Sequence, residues 1–91
     1  MPHRVERFQP TPNPNAIKCV LAEPVAPPAR SYRRREEAPD ASSDPVGAAL
    51  FAVPGVAGVL VNGGWITVSK EPSADWTAVK AGVRRALGSA P

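Results

Sequence analysis

The run from Leu50 to Lys70 leaves this chain the fewest choices. Phe51-Ala52-Val53 closes a helical pattern, Pro54-Gly55 stops it, and Val56 to Val61 is a Val-rich run. Asn62-Gly63-Gly64 then turns the chain into Trp65-Ile66-Thr67-Val68-Ser69-Lys70. Asn-Gly between apolar runs predicts a β-hairpin, because the central residues of a type I′ turn need positive φ and these two tolerate it. Taking Asn62-Gly63 as a two-residue loop sets Leu60 opposite Trp65, Val59 opposite Ile66 and Ala57 opposite Val68. One sheet face then carries Ala57, Val59, Val61, Ile66 and Val68, and the other carries Leu60, Trp65, Thr67 and Ser69.

The flanks add elements to this hairpin. Val5 to Gln9 alternates as a short strand and ends at Pro10. Prolines at 10, 12 and 14 forbid helix through Thr11-Pro12-Asn13-Pro14-Asn15, which is expected to be a fixed connector. Ala16 to Leu21 reads as a second strand with Ile17, Cys19 and Leu21 on one face. Residues 22–30 lack a period and read as a polyproline-like loop, Ser31 to Arg34 as an edge strand, and Arg35 to Ser43 as loop again. Asp44-Pro45 opens a helix, since the carboxylate can accept a free N–H of the first turn and proline at N1 has none to orphan. Val46, Ala49, Leu50 and Val53 form its apolar stripe.

Beyond Glu71-Pro72, Ser73 or Asp75 caps a second helix running to about Leu87, with Trp76, Val79, Val83 and Leu87 on one side and Gly88 as its stop. The expected architecture is one α+β domain over residues 1–91. It is a two-layer sandwich with a mainly antiparallel sheet of three to four strands and two helices on one face. Its expected core is Ile17, Leu21, Leu50, Val53, Val59, Val61, Ile66, Val68, Trp76, Val79, Val83 and Leu87.

Charge and composition narrow the function classes. Eleven basic against eight acidic residues leave a net charge of +3, mild for a nucleic-acid footprint. A small nucleic-acid or anion-binding module using Arg30, Arg33, Arg34, Arg35, Arg84 and Arg85 is the alternative reading, ranked lower because few aromatics are available for stacking. The single cysteine excludes an intrachain disulfide and implies neither an oxidising compartment nor a closed four-ligand metal site. With no apolar stretch long enough for a membrane span and no signal-like N-terminus, the chain is expected to be soluble and cytoplasmic.

Candidate sites are few. Cys19, flanked by Ile17 and Leu21 on one face, is expected to be a buried inert thiol, and without a base it does not suggest an enzyme. His3 is read as solvated. Asn13-Pro14-Asn15 is either a rigid connector or a recognition loop. Leu60 with Trp65, bordered by Thr67, Ser69 and Lys70, has the composition of a partner-binding patch, unless the N-terminal segment or the Pro-rich loop lies across it. No catalytic, cofactor or metal residue is assigned.

Five motifs, in order, carry a resemblance. Thr11-Pro12-Asn13-Pro14-Asn15-Ala16-Ile17-Lys18, Asp44-Pro45-Val46-Gly47-Ala48-Ala49-Leu50-Phe51, Gly55-Val56, Trp65 to Lys70 and Asp75-Trp76 together resemble the N-terminal domain of Nfu-type iron–sulfur cluster scaffold proteins. The resemblance implies an α+β domain that accompanies cluster assembly or delivery. In that family the cluster is held by a Cys-x-x-Cys pair in a second, C-terminal domain, and no such pair occurs in this sequence. The implied role is therefore a non-enzymatic accessory acting in trans with cluster carrier or client proteins, without binding the cluster itself. The sequence departs from the family pattern at Cys19 and Trp65, where aromatics and phenylalanine are usual, and at Gly64, where aspartate is frequent.

Overall fold

The computed structural model describes residues 4–24, 29–40 and 42–89. In chain order the elements are β1 (Val5–Pro10), β2 (Ala16–Leu21), β3 (Arg30–Tyr32), a single 3₁₀ turn (Arg35–Glu37), α1 (Pro45–Phe51), β4 (Val56–Asn62), β5 (Trp65–Lys70) and α2 (Trp76–Ser89). The strands form one five-stranded sheet in the order β1-β2-β5-β4-β3, with every neighbouring pair antiparallel. Five strands rather than three to four reflect the two edges. β3 is only three residues long and β1 is interrupted by a bulge between Val5 and Arg7, so each is marginal alone and is held by pairing with a longer neighbour.

The turn sits one residue later than expected, which moves every cross-strand partner by two. Asn62 pairs with Trp65 and Val61 with Ile66, so the loop is Gly63-Gly64 rather than Asn62-Gly63. Gly63 takes the positive φ, 61°, and Gly64 does not, the pattern of a type II′ turn. The observed register sets Val59 against Val68 and Val61 against Ile66, four buried side chains in two cross-strand pairs, whereas the expected one set Leu60 against Trp65. Both registers leave the same side chains on the buried face, and the observed one gives Val61 a buried partner, Ile66, where the expected one set it against Gly64. A bulge between Val56 and Gly58 then takes Ala57 out of the alternation, and fully buried Val56 stands in its place, opposite Lys70.

Alternate strand positions and both helices share one core. Ile17, Cys19 and Leu21 of β2, Val59 and Val61 of β4, and Ile66 and Val68 of β5 join Val46, Leu50 and Phe51 of α1 and Val79, Val83 and Leu87 of α2. Trp76, expected inside, is only partly buried at the core's margin, while Val5, Cys19, Val46, Phe51 and Val56 are additional core members. Gly82 of α2 packs against Val53, in the turn that follows α1, where an added methyl would fall 2.5 Å from Val53 Cγ1. Gly88 does not stop α2: positive φ among the described residues is confined to Gly55 and Gly63, and the helix continues through Gly88 to Ser89.

Asp44 is the expected N-cap of α1, its Oδ1 accepting from the Gly47 N–H at 3.2 Å. Its larger task was not legible. Arg30 Nε donates to Oδ2 at 2.7 Å, Arg30 Nη2 to Oδ1 at 2.9 Å, and the Tyr32 hydroxyl to Oδ2 at 2.7 Å. The short edge strand β3 is thus fastened to the start of α1 through one carboxylate that is 5% exposed. The Tyr32 ring also packs edge-on against Phe51, centroids 6.2 Å apart. Burial pushes the Asp44 carboxyl up, but the bonds from Arg30, Tyr32 and the Gly47 N–H, with the Arg30 charge, together win and bring it from 3.8 down to about 2.

Three variants test these contacts. The Asp44 carboxylate titrates lower in the folded than in the unfolded chain, so its contribution to stability is complete above about pH 3.8 and is lost as pH falls towards 2. Asp44→Asn should cost about 2 kcal/mol at pH 7 in urea unfolding, and the gap to the parent protein should close through that acid window. Gly82→Ala should destabilise the fold, since overpacking costs of ~1–3 kcal/mol exceed the helix-propensity gain of up to ~1 kcal/mol. Gly88→Ala, with nothing within 4 Å of the added methyl, should be neutral or slightly stabilising in the same assay.

Candidate functional site

The residues singled out from the sequence fall into two separate groups. In the first, the proline-rich connector between β1 and β2 is closed by its own side chains. Thr11 Oγ1 donates to the Asn13 and Ala16 carbonyls, and Asn13 Oδ1 accepts from the Asn15 N–H at 2.9 Å. The loop is then tied to the segment that leads into α2. Lys70 Nζ donates to Asn15 Oδ1 at 3.1 Å and lies near the Glu71 and Pro72 carbonyls, its ammonium 5.6 Å from the centre of the Trp76 ring. Trp76 Nε1 donates to the Pro14 carbonyl at 3.0 Å. Asn13, Asn15 and Lys70 are therefore partners of one internal network. Lys70, expected to border the Leu60–Trp65 patch, is 9% exposed and lies at a β5 position that alternates away from Trp65.

The second group lies on the strand positions that alternate with the core. Cross-strand pairing builds two rows, Arg7, Val20, Trp65 and Asn62 in one and Gln9, Lys18, Thr67, Leu60 and Ser31 in the other. Leu60 is thus diagonal to Trp65, not opposite it as expected. The residue directly beside Trp65 on β2 is Val20, which the sequence reading left out although its alternation with Cys19 and Leu21 was readable. Val20, Leu60 and Trp65 are each half-buried. The Lys18 ammonium lies 4.8 Å from the centre of the Trp65 ring, covering part of an aromatic surface. The Pro-rich loop considered as a cover for this patch lies partly outside the described residues, at 25–28, and the N-terminal segment does so at 1–3.

Among the described residues, Arg30, Arg33 and Arg34 do not share a surface with Arg84. Arg30 is engaged by Asp44, and the Arg34 Nε sits 3.6 Å from Glu37, whose other oxygen accepts from the Arg33 N–H. On α2, Lys80 and Arg84 both stack over Phe8 of β1, and Arg84 also donates to the Val5 carbonyl. These two groups therefore attach to β3 and β1, opposite edges of the sheet. Four strand spacings separate the edges, about 19 Å, which breaks up a continuous polyanion track. Cys19 is fully buried, and its thiol is pushed up to about 12 by burial against the weaker opposing pull of the Arg84 and Lys80 charges. Among the described residues no three His, Cys, Asp or Glu side chains group as metal ligands.

Comparison with known proteins decides the family. Residues 5–90 match the family described as Scaffold protein Nfu/NifU N terminal. The chain belongs to that family. It is 33% identical over 72 residues to the NFU1 iron-sulfur cluster scaffold homolog, mitochondrial, of Drosophila erecta, and 35% identical over 72 residues to that of Drosophila sechellia. Each match covers 79% of this chain and 25% of the relative. The chain thus spans about a quarter of the length of these curated relatives. Among solved structures it is similar to the crystal structure of protein SAV1430 from Staphylococcus aureus, with TM-score 0.76 and 25% identity, covering 91% of this chain and 96% of that one. The solution structure of a NifU-like protein from Saccharomyces cerevisiae shares the fold, with TM-score 0.74 at 16% identity, covering 93% of this chain and 76% of that one. No helix among the described residues is long and apolar enough to cross a membrane.

The thiol environment makes a direct prediction for this Nfu-family chain. A shift from 9.0 to about 12 lowers the thiolate fraction at pH 8 roughly a thousandfold, on top of steric exclusion. Iodoacetamide should leave Cys19 unmodified in the native protein and alkylate it readily in urea, as read by intact-mass measurement.

Proposed function

We propose that this chain is a non-enzymatic interaction module of the iron–sulfur cluster machinery. In this reading it is a single two-layer platform that assists cluster assembly or delivery in trans, contacts a cluster carrier or client protein, and does not hold the cluster itself. Leu60 and Trp65, joined by Val20, are its contact residues. Asn13, Asn15 and Lys70 contribute by fixing the connector, with only the exposed Asn13 able to reach a partner from it.

The observation that carries the reading is the contrast between the two sets of strand positions. One set is sealed into the core by α1 and α2. The other keeps an aromatic, a leucine and a valine half-exposed side by side, which is how a contact patch is composed. The ligand chemistry agrees. An iron–sulfur cluster needs several thiolates or equivalent donors, and this chain offers one cysteine, buried and held as a thiol. The Staphylococcus aureus chain, spanned almost wholly by this fold, is consistent with the unit working as a body of its own. A cytoplasmic site of action belongs to the same proposal, although the curated relatives are described as mitochondrial.

The test is affinity capture of cluster-assembly proteins on the immobilised chain. The parent protein should retain a carrier or client of that machinery, and Trp65→Ala, with an unchanged far-UV spectrum, should lose it. Retention of no such protein by the parent, or equal retention by the variant, would remove the proposal.

A further inference from the structure

We infer that the occupant of the half-exposed strand positions is an acidic amphipathic helix of the partner, a specification that rests on the reading above. The first argument is charge. The strand positions of this face carry two cations and no carboxylate; Arg7 lies 3.7 Å from Glu6 of the adjoining bulge, which leaves Lys18 as the cation a partner can engage. Among the described residues Lys18 has no carboxylate partner, and its ammonium rests on Trp65 instead. A lysine held over the ring that a partner would cover is placed to swing onto an incoming carboxylate and uncover the aromatic in the same movement. A second copy of this chain fits poorly, because it would bring Arg7 and Lys18 against their own kind on a protein of net charge +3.

The second argument is access. A partner strand could instead extend the sheet, but both edges oppose it. β1 carries a bulge and ends on Pro10, and Arg84 occupies the Val5 carbonyl. β3 offers only three residues. The partner must therefore lie on the face, where the satisfied backbone offers side chains only, and a helix is the element that meets such a surface with its own backbone bonds complete. Its apolar stripe would cover Val20, Trp65 and Leu60, and its flanking Glu or Asp would meet Lys18.

The probe is a synthetic helical peptide of about twenty residues with a leucine stripe flanked by glutamates, set against a counterpart with lysines in their place, titrated into the ¹⁵N-labelled full chain. Only the glutamate peptide should bind. It should move the Trp65 indole N–H and the amides of Val20 and Leu60, and weaken at least tenfold in Lys18→Glu and about threefold in Lys18→Gln. Both peptides binding alike, neither binding, or shifts centred on Lys80 and Arg84 would overturn the inference. Lys18→Glu also separates it from the broader reading when applied to the captured partner. Loss of that partner in both Trp65→Ala and Lys18→Glu supports both statements, whereas loss in Trp65→Ala alone keeps the contact face and removes the acidic helix.

Discussion

The pleat of the three central strands is the constraint from which the rest of the molecule follows. Side chains of a strand alternate between two faces, so burying Ile17, Cys19, Leu21, Val59, Val61, Ile66 and Val68 on one side commits Lys18, Val20, Leu60, Trp65 and Thr67 to the other. Two helices of seven and fourteen residues supply the cover that seals the first set. The contrast between sealed and half-exposed positions thus follows from the pleat and from both helices packing on the same core, and it is what the proposed function uses.

Polar locks hold the parts that hydrophobic burial alone would leave loose. At one edge, Asp44 receives Arg30, Tyr32 and the Gly47 N–H, so a three-residue strand is anchored to a helix start. At the end of the sheet where the connector turns, Lys70 and Trp76 clasp Asn15 and Pro14. Each lock satisfies groups that would be costly to bury unpaired. Each also explains a sequence motif shared with the Nfu scaffold family by mechanics: the asparagines of the connector spend their side chains on their own loop and on Lys70.

What could be read in advance follows the range of the interaction. The strand pairing of residues 56–70, the cap at Asp44 and the buried character of Cys19 are local or periodic signals, and they were legible. The one-residue slip of the turn was not, because Asn62-Gly63 and Gly63-Gly64 are both competent loops and both registers keep the same side chains on the buried face. Gly88 had the residue type of a helix stop without the positive φ that makes one. Arg30 with Asp44 and Asn15 with Lys70 join residues 14 and 55 positions apart, and nothing in a linear reading pairs them. Lys70 beside Trp65 is a different miss: strand residues five apart lie on opposite sides of the pleat, which alternation alone tells.

The account depends on the second face being open in the free protein. Methyl-resolved NMR of the isolated chain measures this most directly, through the nuclear Overhauser contacts of Val20 and Leu60. The account predicts contacts from these methyls only to sheet neighbours such as Trp65, Lys18, Thr67 and Ser31. Contacts from Val20 or Leu60 to the proline-rich segment 24–28 would contradict it, because the chain would then be covering its own surface.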